Sequence, residues 1–448
     1  MKRSAWRYIW KSEDIRRKIL ITLGLLVLYR LAANIPVPGV NREILGSLAT
    51  SGGAGGNLFN LLDLLSGGTV STFSILAMGV YPYITAQIIL QLLVPIIPAL
   101  EAKMKENQRE GRKWMERWTV ILTVPMALLS AVGQINIFNS LAAQGGMAPL
   151  MSFSFSGANL LPTVATVISM IAGTMFGIWL GQLISEYGIP NQGLSLIIFA
   201  GIVSRMPQNL LGLLSDKQNG WWMLIIVVAI LLLTIFAIVY VQQGRRNVPV
   251  LFPGRRIGNR MSMPVRSNLP LMVNMAGMIP LIFAQSILTF PAIVASYFTA
   301  SKAAWLASFA SSVTRVFGGE SIWYILFYFL MVVGFTFFYT DVLFTQQNYG
   351  DNLKRQGAQI PGVVRGSSTQ KYLTKVQRRI TLPGALFLGL VAVLPYIIGM
   401  ILPTSGNSGL FLLSSAGLLI VVGVVRDTFN IIETELKIHG YDEGLIKG

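Results

Sequence analysis

Cysteine is absent from the 448 residues, which removes disulfides, thiolate metal sites and cysteine nucleophiles together. Histidine is almost absent: His439, near the C-terminus, is the single one. Without a second histidine, the common zinc arrangements and most serine–histidine chemistry have no raw material. No G-x-x-x-x-G-K-[ST] run occurs, so the chain carries no phosphate loop of the ATP-hydrolysing kind. Charge is also scarce. Asp, Glu, Lys and Arg make up 12% of the residues, about half the roughly 25% of soluble domains. Acids are the rarer sign, 18 against 35 basic residues. These absences argue against an enzyme, a catalytic or metal site and a bound cofactor.

What remains is apolar. Hydrophobic residues make up 53% of the chain and mean hydropathy is +0.62, as in a multi-span membrane protein. Ten segments read as membrane spans: about 18–37, 74–97, 118–136, 158–182, 193–208, 221–242, 271–293, 321–342, 381–402 and 408–426. The clearest is "WWMLIIVVAILLLTIFAIVYV", with a tryptophan pair at one interface. The first segment follows a basic start and has the outline of a signal peptide, but no soluble domain follows it, so it is expected to stay as a span. Of the 35 Lys and Arg, 29 fall in the N-terminus, the 98–117, 243–270 and 343–380 loops and the tail from Arg426. Ten spans put all five regions on one side, and the positive-inside rule makes that side the cytoplasm.

The expected fold class is therefore an all-α integral membrane protein of ten transmembrane helices with both termini cytoplasmic. The regions are a cytoplasmic N-terminus (1–17), an N-terminal half (18–214, spans 1–5), a C-terminal half (215–426, spans 6–10) and a cytoplasmic tail (427–448). Five spans per half place the two halves in the membrane as pseudo-symmetric inverted repeats.

Between spans 1 and 2, "GGAGGNLFNLLDLLSGGT" (52–69) holds a helix-prone stretch too short to cross. Leu58, Leu61, Leu62 and Leu65 form one apolar stripe, Asn60 and Asp63 interrupt the other face, and flanking glycines permit hinge motion. A re-entrant element and a helix lying on the outer surface both fit these residues. The loop 243–270 has six arginines and no acid: Arg245, Arg246, Arg255, Arg256, Arg260 and Arg266. The loop 343–380 is longer than a connection requires. Attraction to anionic phospholipids explains the sign of these charges; the length fits a docking surface for an acidic partner or RNA phosphates.

Few ionisable groups fall within the spans. Arg30 lies near one end of span 1; otherwise span 2 carries Gln87 and Gln91 and span 7 carries Asn274. Neutral amides suit contacts between helices better than ion coupling. A pathway through such a protein would be apolar, sealed by aliphatic side chains and dewetting.

Five stretches in register resemble the SecY family, the channel subunits of the bacterial protein translocon. They are "IPVPGV" (35–40), "LLSGGTVSTFSILAMGVYPYITAQIILQLL" (64–93), "GTMFGIWLGQLISEYGIPNQGLSLIIFAGIV" (173–203), "LPLMVNMAGMIPLIFAQSI" (269–287) and "DNLKRQGAQIPG" (351–362). The resemblance implies an hourglass with a lateral gate between spans 2–3 and 7–8. It implies a plug formed by Leu58, Phe59, Asn60, Leu61, Leu62, Asp63, Leu64, Leu65 and Ser66. It places an aliphatic pore ring on Val80, Ile84, Leu194, Ile198, Ile282 and Ile420, and gate residues on Gln87, Gln91 and Asn274. Cytoplasmic docking is expected at Arg245, Arg246, Arg255, Arg256, Arg260, Lys354, Arg355 and Arg365.

The implied partners are the small membrane subunits SecE and SecG, the motor ATPase SecA or the ribosome at the cytoplasmic loops, signal sequences and nascent polypeptides. The implied function is passage of unfolded polypeptide across the plasma membrane of a bacterium, with sideways release of transmembrane segments into lipid. Two departures stand out. "GIPNQG" (188–193) is one residue longer than the family's run, and in Pro361-Gly362-Val363-Val364-Arg365-Gly366 the arginine comes one place late and the second proline is missing. The competing reading, an ion-coupled secondary transporter of small solutes, needs buried ionisable groups that the spans lack.

Overall fold

A helix occupies each of the ten apolar segments. The computed structural model describes residues 12–41, 73–98, 100, 108–144, 150–151, 160–214, 220–253, 256–257, 260–261, 263, 265–298, 304–317, 321–401 and 408–438. In the first half α1 spans Glu13–Ala32, α2 Tyr81–Ile96, α3 Gln108–Gln144, α4 Leu160–Tyr187 and α5 Gly193–Leu214. In the second, α6 spans Gly220–Gln243, α7 Ile279–Phe298, α8 Ala304–Phe317, α9 Ile322–Gln347, α10 Tyr349–Arg355, α11 Ser367–Ile401 and α12 Ser408–Ile438. By length and composition, four helical stretches among the described residues could cross a membrane: Lys113–Asn136, Leu160–Tyr187, Ile322–Arg355 and Ser367–Leu394. Tyr81–Val94, Gly193–Ser204 and Val228–Gln243 are apolar but shorter. The segment 52–69 and Arg255 lie outside the described residues.

Helix ends follow local chemistry. At the start of α9 the Ser321 hydroxyl accepts from the Trp323 N–H, and the helix stops at Asn348, whose φ of 42° is left-handed, a conformation asparagine tolerates at a C-terminus. Glu13 and Asp14 occupy the first turn of α1, where the helix dipole favours acids. Arg426 of α12 donates to the carbonyl of Gln242, in the last turn of α6, at 3.2 Å, which supplies an orphan acceptor with its donor.

Each half has its own core. In the first, Phe73, Ala77 and Met78 pack with Ala127, Ala131, Ile135 and Phe138 of α3 and Val167 and Met170 of α4. In the second, Ile238 of α6, Leu281 and Leu288 of α7, Tyr324 and Tyr328 of α9, Leu388 and Tyr396 of α11 and Leu419 of α12 form one cluster. The halves touch along two seams. On one, α5 meets α6 and α12; on the other, α2 and α3 meet α7.

Four expectations are corrected. The chain is not all helix: residues 243–270, read as a loop, form an antiparallel hairpin of β1 (Arg245–Phe252) and β4 (Val265–Met272), with β2 (Arg256–Ile257) and β3 (Arg260–Met261) paired between them. Buried Val248 and Val250 alternate with exposed Asn247 and Pro249, the pattern of a half-buried strand. The stretch 343–380 is not a free loop either, being the end of α9, α10, a turn and the start of α11. The seventh helix begins at Ile279 rather than near 271, so Asn274 sits in the turn before it, where Gly277 takes a φ of +63° that breaks the apolar run. Likewise residues 74–80 precede α2, and Val80 is its N-cap.

Candidate functional site

Where the two halves face one another, an aliphatic cluster gathers residues from both. Val80 and Ile420 are buried in it, and Ile84, Leu194 and Ile198 pack against it half-buried. Its other members come from α1 (Tyr29, Ala32), α4 (Leu180, Ile184) and α5 (Leu196, Ile197). Five of the six residues expected to form a ring are thus together. Ile282 is buried on α7, but the residue that reaches this cluster from that side is Met278, one turn earlier.

The close approach of chain to helix here rests on α4. Gly173, Gly177 and Gly181 fall every fourth residue on one face, the spacing that lets helices and backbone approach in membranes. A side chain at Gly173 would overlap the carbonyl of Ile75, and one at Gly177 would meet Leu76, Tyr29 and Val80 at 3.5 to 3.9 Å. The stripe of missing side chains therefore seats the segment that leads into Val80.

The second seam is apolar with one polar stitch. Ile88 of α2 is buried with Ala276, Phe283 of α7 and Tyr339 of α9, and Ile84, Leu92, Ile279 and Phe335 pack around them. Phe283 meets Tyr339 edge-on, centroids 5.7 Å apart at 84°, and Phe335 at 5.9 Å and 89°, the arrangement aromatic quadrupoles favour. The side chain of Gln91 lies close enough to the Tyr339 hydroxyl to interact with it. Asn274 does not reach across: its Nδ2 donates to the carbonyl of Gly277 at 3.1 Å, and its buried Oδ1 has no partner among the described residues. Gln87 is half-buried on α2. Sequence reasoning missed Tyr339 and Phe283; the signal was present in "GFTFFYTDVLF" (334–344), where Phe335 and Tyr339 share a helix face.

The basic stretches at the other end of the molecule form one folded unit. Val248, Val250 and Leu271 of the hairpin, Phe344 of α9, Leu353 of α10 and Leu373 and Val376 of α11 are buried together with Ala358 and Ile360. Leu251 and Gln359 exchange both backbone hydrogen bonds at 2.8 Å, which ties the hairpin to the turn after α10. The cations are left outside: Arg245, Arg246, Arg266, Lys354, Arg355 and Arg365 are exposed, and Arg365 Nε donates to Gln359 Oε1 at 3.2 Å. Arg256 and Arg260 lie on the strands β2 and β3.

The SecY family matches residues 74–429. The protein translocase subunit SecY of Streptomyces galbus is 37% identical over 99% of this chain and 100% of its own length. That of Chlamydia trachomatis is 37% identical over 98% of this chain and 97% of its own. Among solved structures, a SecY channel in which the plug domain stabilises the closed state and maintains a membrane seal gives a TM-score of 0.59 at 16% identity, over 97% of this chain and 98% of its own. The Sec61 channel in a canine ribosome–channel complex gives 0.55 at 17%, over 96% and 98%. These structural likenesses speak for the fold, and the sequence matches speak for descent: the chain belongs to the SecY family of protein-translocation channels, not to a family of enzymes.

Proposed function

We propose that this chain is the central channel of a bacterial secretion machinery, with ten spans in two inverted halves, both termini in the cytoplasm and the plasma membrane as its site. The observation that carries the reading is the aliphatic cluster in which Val80 and Ile84 of the first half meet Ile420 of the second. With Leu194, Ile198 and Ile282 it forms the ring through which unfolded polypeptide passes outward, closed by dewetting while at rest. Residues 58–66 are the plug that closes the outer funnel. The seam of α2 with α7 and α9 is the lateral gate, through which apolar segments leave for lipid. SecE and SecG accompany the channel in the membrane, and SecA or the ribosome docks on the exposed arginines and lysines of the hairpin and α10. The driving force comes from that partner, since the chain has no nucleotide loop.

A signal sequence opens the gate only by binding the open state more tightly than the closed one. In the closed state it must displace the Ile88–Phe283–Tyr339 contacts and the polar contact of Gln91 with Tyr339. The buried, half-satisfied amide of Asn274 lies beside that seam, where an entering segment would supply its missing donor. Hydrogen bonds between helices in membranes contribute about 0.6 kcal/mol on average and up to about 1.7. Gln91→Leu should therefore favour the open gate by roughly threefold or more, read as increased translocation of a client with a defective signal sequence. Tyr339→Phe should give the same gain, and the pair no more than either alone. Wild-type selectivity in both single variants would remove the stitch from the gate.

The absence of cysteine allows a direct test of the conduit. Ile84→Cys, with a single cysteine in a secretory chain stalled halfway across, should give an efficient disulfide that disappears when the signal sequence is deleted. A bond formed equally from exposed Leu390→Cys on α11, or none at Ile84→Cys, would rule out the ring as placed.

A further inference from the structure

One helix of the second half lies outside the ten apolar segments. α8 stands between α7, which ends at Phe298, and α9, which begins at Ile322. Its 14 residues rise roughly 21 Å, short of the roughly 30 Å of a bilayer core. Its sequence, AWLASFASSVTRVF, divides into three sides. Leu306, Ala310 and Phe317 share the side turned to the protein: Ala310 is buried, Leu306 half-buried, and Phe317 packs against the core of the second half. Trp305 and Phe309, four apart and so on one side, are 74% and 65% exposed. Ser308 and Ser311 are exposed on the third side, where the Ser311 hydroxyl donates to the Ser308 carbonyl at 2.9 Å. Two sides are apolar, and the protein covers one.

The neighbouring helix gives the level at which α8 lies. The exposed side of α9 runs through Trp323, Leu326, Phe327, Leu330 and Phe338. It ends where Asp341 accepts from Arg378 of α11 at 2.7 Å. Trp323 and Asp341 are separated by roughly 27 Å of helix rise, close to the thickness of the hydrocarbon core. Tryptophan favours the boundary of that core, so Trp323 marks one face of the membrane and the ion pair the other. α8 is at the tryptophan end. Phe317 stacks on Phe327 with centroids 6.2 Å apart and 11° between the rings, and Phe327 meets Trp323 at 6.4 Å.

We propose that α8 lies along the membrane surface at the end remote from the basic unit, with Trp305 and Phe309 inserted among the lipids at the headgroup boundary. The inference rests on the membrane placement given above. Recognition here is by apolar area, without regard to headgroup charge. The aromatic pair continues, on the same rim, the exposed surface formed by Phe298, Ile322 and Trp323, while the serines turn to water. Held in this way, α8 fixes the outer ends of α7 and α9, both partners in the second seam, at one depth.

The test uses single nitroxide labels, which a chain without cysteine accepts one position at a time. The purified channel complex is placed in phosphatidylcholine vesicles, and collision with oxygen is compared with collision with a water-soluble nickel chelate. A label at Phe309→Cys should prefer oxygen, at a depth of about 5 to 10 Å into the headgroup–acyl boundary. A label at Ser311→Cys should prefer nickel. Leu330→Cys, exposed halfway along α9, is the deep-lipid reference. Trp305→Ser should cut the oxygen-to-nickel ratio of the Phe309→Cys label several-fold, and Trp305→Phe should retain it. Nickel preference at Phe309→Cys, with Leu330→Cys still deep, overturns the proposal and leaves the channel reading standing. A label at Phe309→Cys that is immobile and shielded from both reagents assigns the aromatic pair to a protein partner and also overturns it. Nickel access at Leu330→Cys would bring down the membrane placement itself, and the proposal with it.

Discussion

Ile84→Asn together with Ile198→Asn is expected to turn a channel sealed at rest into one that conducts small ions. Both positions are half-buried against the aliphatic cluster, whereas Val80 and Ile420 are fully inside it. Substitution at the first pair thus changes the surface a pathway would expose, while substitution at the second would chiefly damage folding. An amide forced into a dry site without a partner costs about 1 to 3 kcal/mol. Two of them shift the balance towards a wetted state by about 2 to 6 kcal/mol, a factor of roughly thirty to about twenty-five thousand. Single-channel recording in planar bilayers should show spontaneous openings in the double variant and closure in wild type. The same recording on a chain lacking residues 58–66 separates the two seals: if the plug closes the outer funnel, that chain should flicker open even with the aliphatic ring intact. Silence in both would mean that this cluster does not line the conduit.

Gly173→Ala should be among the most damaging small substitutions in the first half. The added methyl would overlap the backbone carbonyl of Ile75, and no rotamer change can relieve a clash with main chain. Overpacking of this kind costs about 3 kcal/mol, against a total stability of about 5 to 15 kcal/mol for a typical domain. The accumulated folded protein should fall several-fold. Gly24→Ala is the control, since nothing lies within 4 Å of the site. Quantities recovered as a monodisperse peak after detergent extraction provide the comparison; equal recovery of the two would show that α4 and the segment before α2 do not meet as closely as the structure places them.

Ten helices were legible in the chain because long apolar runs are their own signature. The gathering of Val80 and Ile420 into one cluster was legible only through motif resemblance, since either is indistinguishable from dozens of other aliphatic residues by composition. Asn274 was assigned to a helix because "LPLMVNMAGMIPLIFA" (269–284) is apolar throughout, and hydropathy does not register that Gly277 turns the chain. The hairpin was hidden for the opposite reason. Its arginines and prolines read as loop, while the buried alternation of Val248 and Val250 is only two residues deep. Tyr339 was missed because the residue it faces is Gln91, 248 positions away, which no local pattern connects to it.

The shared core of the hairpin, α10 and the start of α11 also sets the grain at which this protein can be re-engineered. Val248 and Val250 on one segment and Leu353, Ala358 and Leu373 on the other fill a single apolar volume. A chimaera that imports residues 243–270 from a relative and keeps its own 343–380 would join two half-moulds cast from different originals. Its defects would report mismatched packing and say nothing about which arginines a partner grips. Exchanged as a pair, the two segments can carry a foreign specificity intact.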